Sequence, residues 1–361
     1  MKILYGVQGT GNGHLTRARS MARALANYDV QVDWLFSGRE RADFFDMQAF
    51  GNFKCYQGMT LQTKKGKVNM AKTIAKSNLL QLYRDIKSLD MSQYDLVVSD
   101  FEPVSSWAAR SQGVRSIGIS HQNAFLYPIP KRANNLITDT FMRWFAPTDT
   151  PVGVHWHHFD QPLLPPIVEP SDIDNTVTEN QILVYLPFAD LDDILALLKP
   201  LTGYRFYVYH KLAEAKNMGH IQLCPFSRSG FQAHLHSSEG VISSSGFELP
   251  SEAIELGKKL LVEPVIGQME QQSNALALQA LGYATTAHRL STEIIARWLE
   301  STRPRPTPYP DVSAALSRWI VKDKAQNLTS LSKSLWSKVP GVVDMPGEGI
   351  SEQIQANLTG C

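Results

Sequence analysis

Short apolar runs alternate with amphipathic stretches along most of the chain, and the apolar spacing switches between two residues and about 3.6, as strands and the helices covering them require. In the first half, runs at 2–7, 30–36, 95–99 and 115–120 predict strands, and segments near 14–27, 69–89 and 104–112 predict helices. Such alternation builds parallel sheets with crossover helices. Residues 161–180 break the pattern with four prolines and little periodicity, which reads as a linker. Beyond it, the runs 182–186 and 204–209 restart the strand–helix order. The expected organisation is therefore an α/β domain over 1–165, a second over 166–340, and a tail over 341–361.

Composition narrows the possible functions. With 361 residues, 43% of them hydrophobic, the chain can fill two cores. A net charge of +1 with 19% charged residues offers no broad basic field, which argues against nucleic acid as the main partner. Cys55, Cys224 and Cys361 are odd in number and far apart, so they form neither a disulfide framework nor a metal set, and a reducing cytoplasm is the expected setting. The first residues enter a charged helix without a long apolar core, so no signal peptide is expected, and no run approaches the length of a membrane span.

Two places carry chemistry. At the amino terminus the run 2–7 leads into Gln8-Gly9-Thr10-Gly11-Asn12-Gly13-His14 and then a helix. The dinucleotide fingerprint Gly-x-Gly-x-x-Gly would need glycine at position 14, where His14 stands, so a dehydrogenase is disfavoured. Histidine titrates near working pH and can take a proton from an attacking hydroxyl. Asp100, at the end of the run 95–99, is the candidate carboxylate to orient it, with Glu102 as the rival. Arg17 and Arg19 occupy the first turns of the helix, where cations oppose the macrodipole. Either they lie on a solvated face or an anion compensates them; Arg19 fits the first reading, and Arg17 is the candidate for an anionic ligand.

The second place is 239–283. An apolar run at 240–242 is followed by Ser243-Ser244-Ser245-Gly246 and a helix-like stretch bearing Glu252. A small-residue turn before a helix lets the backbone approach a ligand and aims free N–H groups at an anion such as a diphosphate. Glu252, on the second turn, is placed to accept from the hydroxyls of a ribose. After the run 259–264, Glu270, Gln271 and Asn274 crowd the start of another helix, and mixed donors and acceptors of this kind suit a hydroxyl-rich ligand. Two ordinary capped helices would show the same residues.

Together the two places resemble GT-B glycosyltransferases, especially the bacterial enzyme that adds N-acetylglucosamine to the lipid-linked peptidoglycan precursor. The turn Ser243-Ser244-Ser245-Gly246 with Glu252 is similar to that group's diphosphate and ribose site, and Glu270-Gln271 with Asn274-Ala275 to its donor-sugar site. Glu270-Gln271 also resembles the Asp-Gln pair of UDP-glucuronosyl- and plant UDP-glycosyltransferases. Gly9, Gly11, Gly13 and His14 match the Gly-rich loop whose His faces the interdomain cleft. What the resemblance implies is two Rossmann-like domains and transfer of a sugar from a nucleotide donor, a UDP-sugar foremost, to a hydroxyl. No metal or cofactor is implied.

It further implies an acceptor that is unknown and could be a lipid-linked or envelope glycan. Phe226 and Ser227 resemble the loop that reads the nucleotide base, although Phe226 fits core packing as well. The segment 310–336 or the tail is expected to cross back onto the first domain. One departure is that 186–190 lacks the glycines many relatives carry after the first strand of the second domain. A sugar-nucleotide 2-epimerase and a non-catalytic sugar-nucleotide sensor remain the alternatives.

Two further features read as structural. His155-Trp156-His157-His158 puts only His155 and His157 on one face of a strand, a poor metal set. Leu136, Ile137, Phe141, Trp144 and Phe145 beside Lys131, Arg132 and Arg143 fit either a buried helix or one making peripheral contact with a membrane.

Overall fold

The computed structural model describes residues 1–59, 63–64, 67–68, 79–132, 136–322 and 327–341. A six-stranded sheet runs in the order Lys54–Tyr56, Gln31–Ser37, Lys2–Gln8, Leu96–Asp100, Ser116–Ser120, Thr150–Gly153. All its pairings are parallel. Its central strands read as unbroken apolar runs because both faces are covered: every residue of Leu96–Asp100 and Ser116–Ser120 is buried. The chain order reverses between Lys2–Gln8 and Leu96–Asp100, so the crevice beyond the carboxyl ends of those two strands lies at a topological switch point.

A second sheet has seven strands, Lys216–Met218, Ile221–Cys224, Arg205–Tyr209, Gln181–Tyr185, Gly240–Ser244, Lys259–Glu263 and Thr285–Thr286. Its one antiparallel pairing is the edge ribbon Lys216–Met218 with Ile221–Cys224. Here the switch point falls between Gln181–Tyr185 and Gly240–Ser244. The fold class is thus two parallel α/β regions, each with its own switch point, as the alternating pattern predicts.

The helices Asn12–Leu25 and Pro103–Gln112 match the expected segments within two residues. The expected helix 69–89 is described over Leu79–Ser88, and its first part lies outside the described residues. Between 161 and 180 there is no helix or strand, and Val154 pairs with Leu164 as an isolated bridge.

The last described helices return to the first sheet. Val312, Leu316, Trp319 and Ile320 of Val312–Val321 share one core with Leu15, Ala18, Met21 and Leu25 of the first helix. In Leu328–Trp336, Ser332 Oγ and Trp336 Nε1 donate to Leu163 O at 2.6 and 2.7 Å. The helices Val312–Val321 and Leu328–Trp336 therefore pack with the first domain although they follow the second in sequence. The tail beyond 341 lies outside the described residues. No helix among the described residues is long and apolar enough to cross a membrane.

Candidate active site

Both switch points open onto one cleft of about 1370 Å3, lined from the first domain by Gly11, Gly13 and His14 and from the second by Ser244, Gly246 and Glu252. Single small-molecule sites hold about 300–1,000 Å3, so this space admits two substrates at once.

On the first wall, His14 Nδ1 lies 2.7 Å from Asp100 Oδ1, with the His14 side chain 13% exposed and Asp100 fully buried. Asp100 ends its strand, and Phe101 takes the left-handed conformation (φ 50°), which turns the chain sharply there. Glu102, the rival to Asp100, faces the other way: its carboxylate caps the next helix by accepting from Val104 N and Ser105 N at 2.8 and 2.7 Å.

Arg17 answers its unfavourable position with protein carboxylates rather than a ligand. It is fully buried, and its Nε and Nη2 each donate to Asp100 at 2.7 Å, a forked pair. Its Nη1 donates to Glu248 of the second domain. Burial opposes an ionised Asp100, but Arg17 and His14 outweigh it and hold the carboxyl below its usual range. Arg19 also departs from the solvated reading, being buried and donating to Asp46 O at 3.2 Å.

On the facing wall, the helix Glu248–Glu255 begins without a side-chain cap, so its first N–H groups stay available beside the turn. Ser244 and Gly246 line the cleft, and a Cβ on Gly246 would meet nothing within 4 Å, so its backbone is open to close approach. Ser245 does not point into the cleft: its Oγ donates to Gln271 O at 2.7 Å, tying one turn to the other. Glu252 accepts from Gln232 Nε2 at 3.0 Å, and burial raises its carboxyl to about 7.

Glu270 lines the cleft and accepts from Gln122 Nε2 at 3.1 Å. Gln271 also borders it, but its Oε1 is used by Val265 N at 3.0 Å. Asn274 is fully buried and lies outside the cleft, its amide shared between His121 Nε2 (2.7 Å) and Ser245 O (3.1 Å). A sugar-contacting Asn274 is therefore corrected to a residue that locks the two domains together.

Phe226 is not core: it is 40% exposed, meets Tyr185 edge-on, and lines the cleft. Ser227 borders the cleft too, while its Oγ accepts from Gly230 N at 3.2 Å as a helix cap. Gly9 stands back from the cleft, where a Cβ would strike the Phe44 ring at 2.6 Å. The His155–His158 run lies past the end of Thr150–Gly153 rather than on it, and Nδ1 of His155 and of His157 each accepts a backbone N–H. Of the apolar segment at 136–145, Phe141 and Phe145 pack on Phe101, whereas Trp144 is exposed and stacks on Trp107. The side chains of Leu136 and Ile137 lie outside the described residues.

The residue that sequence reasoning missed is Glu248. Its carboxyl lines the cleft, and burial raises it to about 8, with Asp100, Glu252 and Glu270 adding to the rise against the pull of Arg17. An acid in a helix's first turn is ordinary, so only the anomaly of Arg17 pointed toward a buried partner.

Two parallel α/β domains with facing switch points and a shared cleft make this a GT-B fold, and the molecule is a glycosyltransferase. The chain belongs to the family described as glycosyl transferase family 1, whose model matches residues 1–302. Among solved structures it is similar to the glycosyltransferase SnogD from Streptomyces nogalater, with 14% identity, a TM-score of 0.53 and 99% of each chain covered. It is similar to the glycosyltransferase SsfS6 of Streptomyces sp. SF2575 complexed with thymidine diphosphate, with 13% identity, a TM-score of 0.56, and 98% of this chain and 99% of that one covered. It is also similar to Phytolacca americana UGT2 complexed with UDP-2fluoro-glucose and pterostilbene, with 15% identity, a TM-score of 0.55, and 93% and 98% covered. No curated protein matches the chain.

Proposed function

We propose that the enzyme moves a sugar from a nucleoside diphosphate donor, a UDP-sugar foremost, to an acceptor hydroxyl without a metal ion. The observation that carries this reading is the His14–Asp100 pair at 2.7 Å on one wall, facing the open Ser244–Gly246 turn and Glu252 on the other. The solved complexes with thymidine diphosphate and UDP-2fluoro-glucose on the same fold support a donor of this class.

In this scheme Glu252 accepts from the ribose hydroxyls, and the uncapped start of Glu248–Glu255 with the Ser244 and Gly246 backbone takes the diphosphate. Glu270 meets the donor sugar, and Phe226 and Ser227 border the base. The acceptor enters along Gly11 and Gly13. With its own proton on Nδ1 and donated to Asp100, His14 keeps Nε2 free to take the acceptor's proton. The acceptor oxygen then bonds to the anomeric carbon as the carbon–oxygen bond to the diphosphate breaks, and N–H groups at the helix start stabilise the departing charge.

Thermal shift against UDP, GDP, dTDP and their sugar conjugates, in chelator and with Glu252→Ala alongside, tests the donor site. Ligand at about a hundred times Kd adds roughly 2.7 kcal/mol of stability. A shift specific to one nucleotide and lost in Glu252→Ala is expected; shifts that survive the substitution would remove Glu252 from the site.

A further inference from the structure

A continuous chain of polar contacts joins the two walls of the cleft at its floor. It runs from His14 Nδ1 to Asp100 (2.7 Å), from both Asp100 oxygens to Arg17 (2.7 Å each), and from Arg17 Nη1 to Glu248. Arg17 Nη2 also approaches His14 Nδ1 at 3.0 Å, so the guanidinium competes with the imidazole for the same carboxylate. Gly13 lies over Glu248, whose Cγ would be 2.6 Å from a Cβ placed there. The first three residues belong to one domain, and Glu248 opens the helix to which the donor diphosphate is assigned.

We infer that Arg17 and Glu248 are positioning residues for the base: Arg17 fixes Asp100 and shares its charge, and Glu248 ties that pair to the donor-side helix, so His14 is aligned only when the two halves are in register. This rests on the reading of His14 as base. The argument is geometric. A carboxylate held by a fork at both oxygens cannot rotate, so the direction in which it presents Oδ1 to His14 is fixed by Arg17. Arg17, fully buried, is in turn anchored at its third nitrogen by Glu248. Cutting that anchor leaves the fork free to pivot, and a displacement of about 1 Å at a reacting group can cost on the order of a hundredfold in rate.

The titratable groups facing this chain are Tyr5, His14, Arg17, Asp100 and His121 from the first domain and Glu248, Glu252 and Glu270 from the second. Without Arg17, the undivided charge of Asp100 favours the imidazolium. Without Glu248, Nη1 of Arg17 loses its carboxyl partner, and the guanidinium is free to shift against Asp100 and the imidazole.

Nitrogen-15 NMR titration of the His14 ring in the full chain reads this coupling directly. Its midpoint is expected to rise in Arg17→Met and to move off the wild-type value in Glu248→Ala, with Glu248→Gln, which keeps an oxygen for Arg17, returning toward wild type. Release of UDP from UDP-sugar, with water as acceptor, should drop about a hundredfold in kcat for Glu248→Ala while UDP affinity stays within about twofold. A midpoint unmoved in Glu248→Ala and Glu248→Gln overturns the inference, whatever becomes of the less stable Arg17→Met. An active His14→Ala variant would instead overturn the assignment of the base.

Discussion

His14 and Glu252 stand on opposite walls of the cleft and answer to different measurements. Removing the imidazole in His14→Ala takes away proton transfer but no donor contact, so kcat should fall by about 10²–10⁴ with nucleotide affinity retained. Calorimetry beside turnover separates the two; a fully active variant would exclude His14 from the chemistry.

Glu252 offers a pH signature. Burial raises its carboxyl to about 7, and ribose hydroxyls donate to the ionised form. Nucleotide affinity should therefore strengthen as pH rises from 6 to 8, with a proton released on binding near pH 7. Affinity flat across that window would show that Glu252 does not meet the ribose as a carboxylate.

Among the elements, the first helix packs on Glu248–Glu255 across the two domains, and Gly13 permits it. In Gly13→Ala the added methyl meets Glu248 Cγ at 2.6 Å, so a loss of about 1–3 kcal/mol is expected in urea unfolding. Gly11→Ala is the control, since its Cβ would find its nearest neighbour at 3.8 Å. Equal losses in the two would mean that Glu248 simply moves aside.

Helices and strands were legible because their periods are set by burial. The strand Leu96–Asp100 is covered on both faces and reads as an apolar run, and both switch-point turns announce themselves through small residues. The direction of polar side chains around those turns was not legible. Ser244 and Ser245 are adjacent and chemically alike, yet one borders the cleft and the other binds Gln271 O, because neighbours on an extended chain face opposite ways. Asn274 sits at the same helix start as Glu270, but its contacts to His121 and Ser245 come from segments far away in sequence. The Arg17–Glu248 pair spans 231 residues, a separation that no local pattern encodes.

For the whole molecule, raised carboxyls couple stability to pH. Folded, Glu252 and Glu248 hold their protons up to about 7 and about 8, while in the unfolded chain they release them near 4.3. The folded state thus binds the extra protons, and this contribution is full below about 4.3 and is lost as pH rises through 7 to 8. The ligand-free melting temperature should decline across that range, and Glu252→Gln should flatten the decline. A rise in stability over the same interval would contradict the buried carboxyls.

The return of Val312–Val321 and Leu328–Trp336 to the first domain has a bearing on synthesis. Ribosomes deliver a chain from its amino terminus, and domains ordinarily fold as they emerge. Here the face of the first helix that packs on Val312–Val321 stays uncovered until that helix appears, some three hundred residues later. Its maturation is thus held back until the partner domain has been made, which leaves a sticky surface for chaperones to shield in the interval.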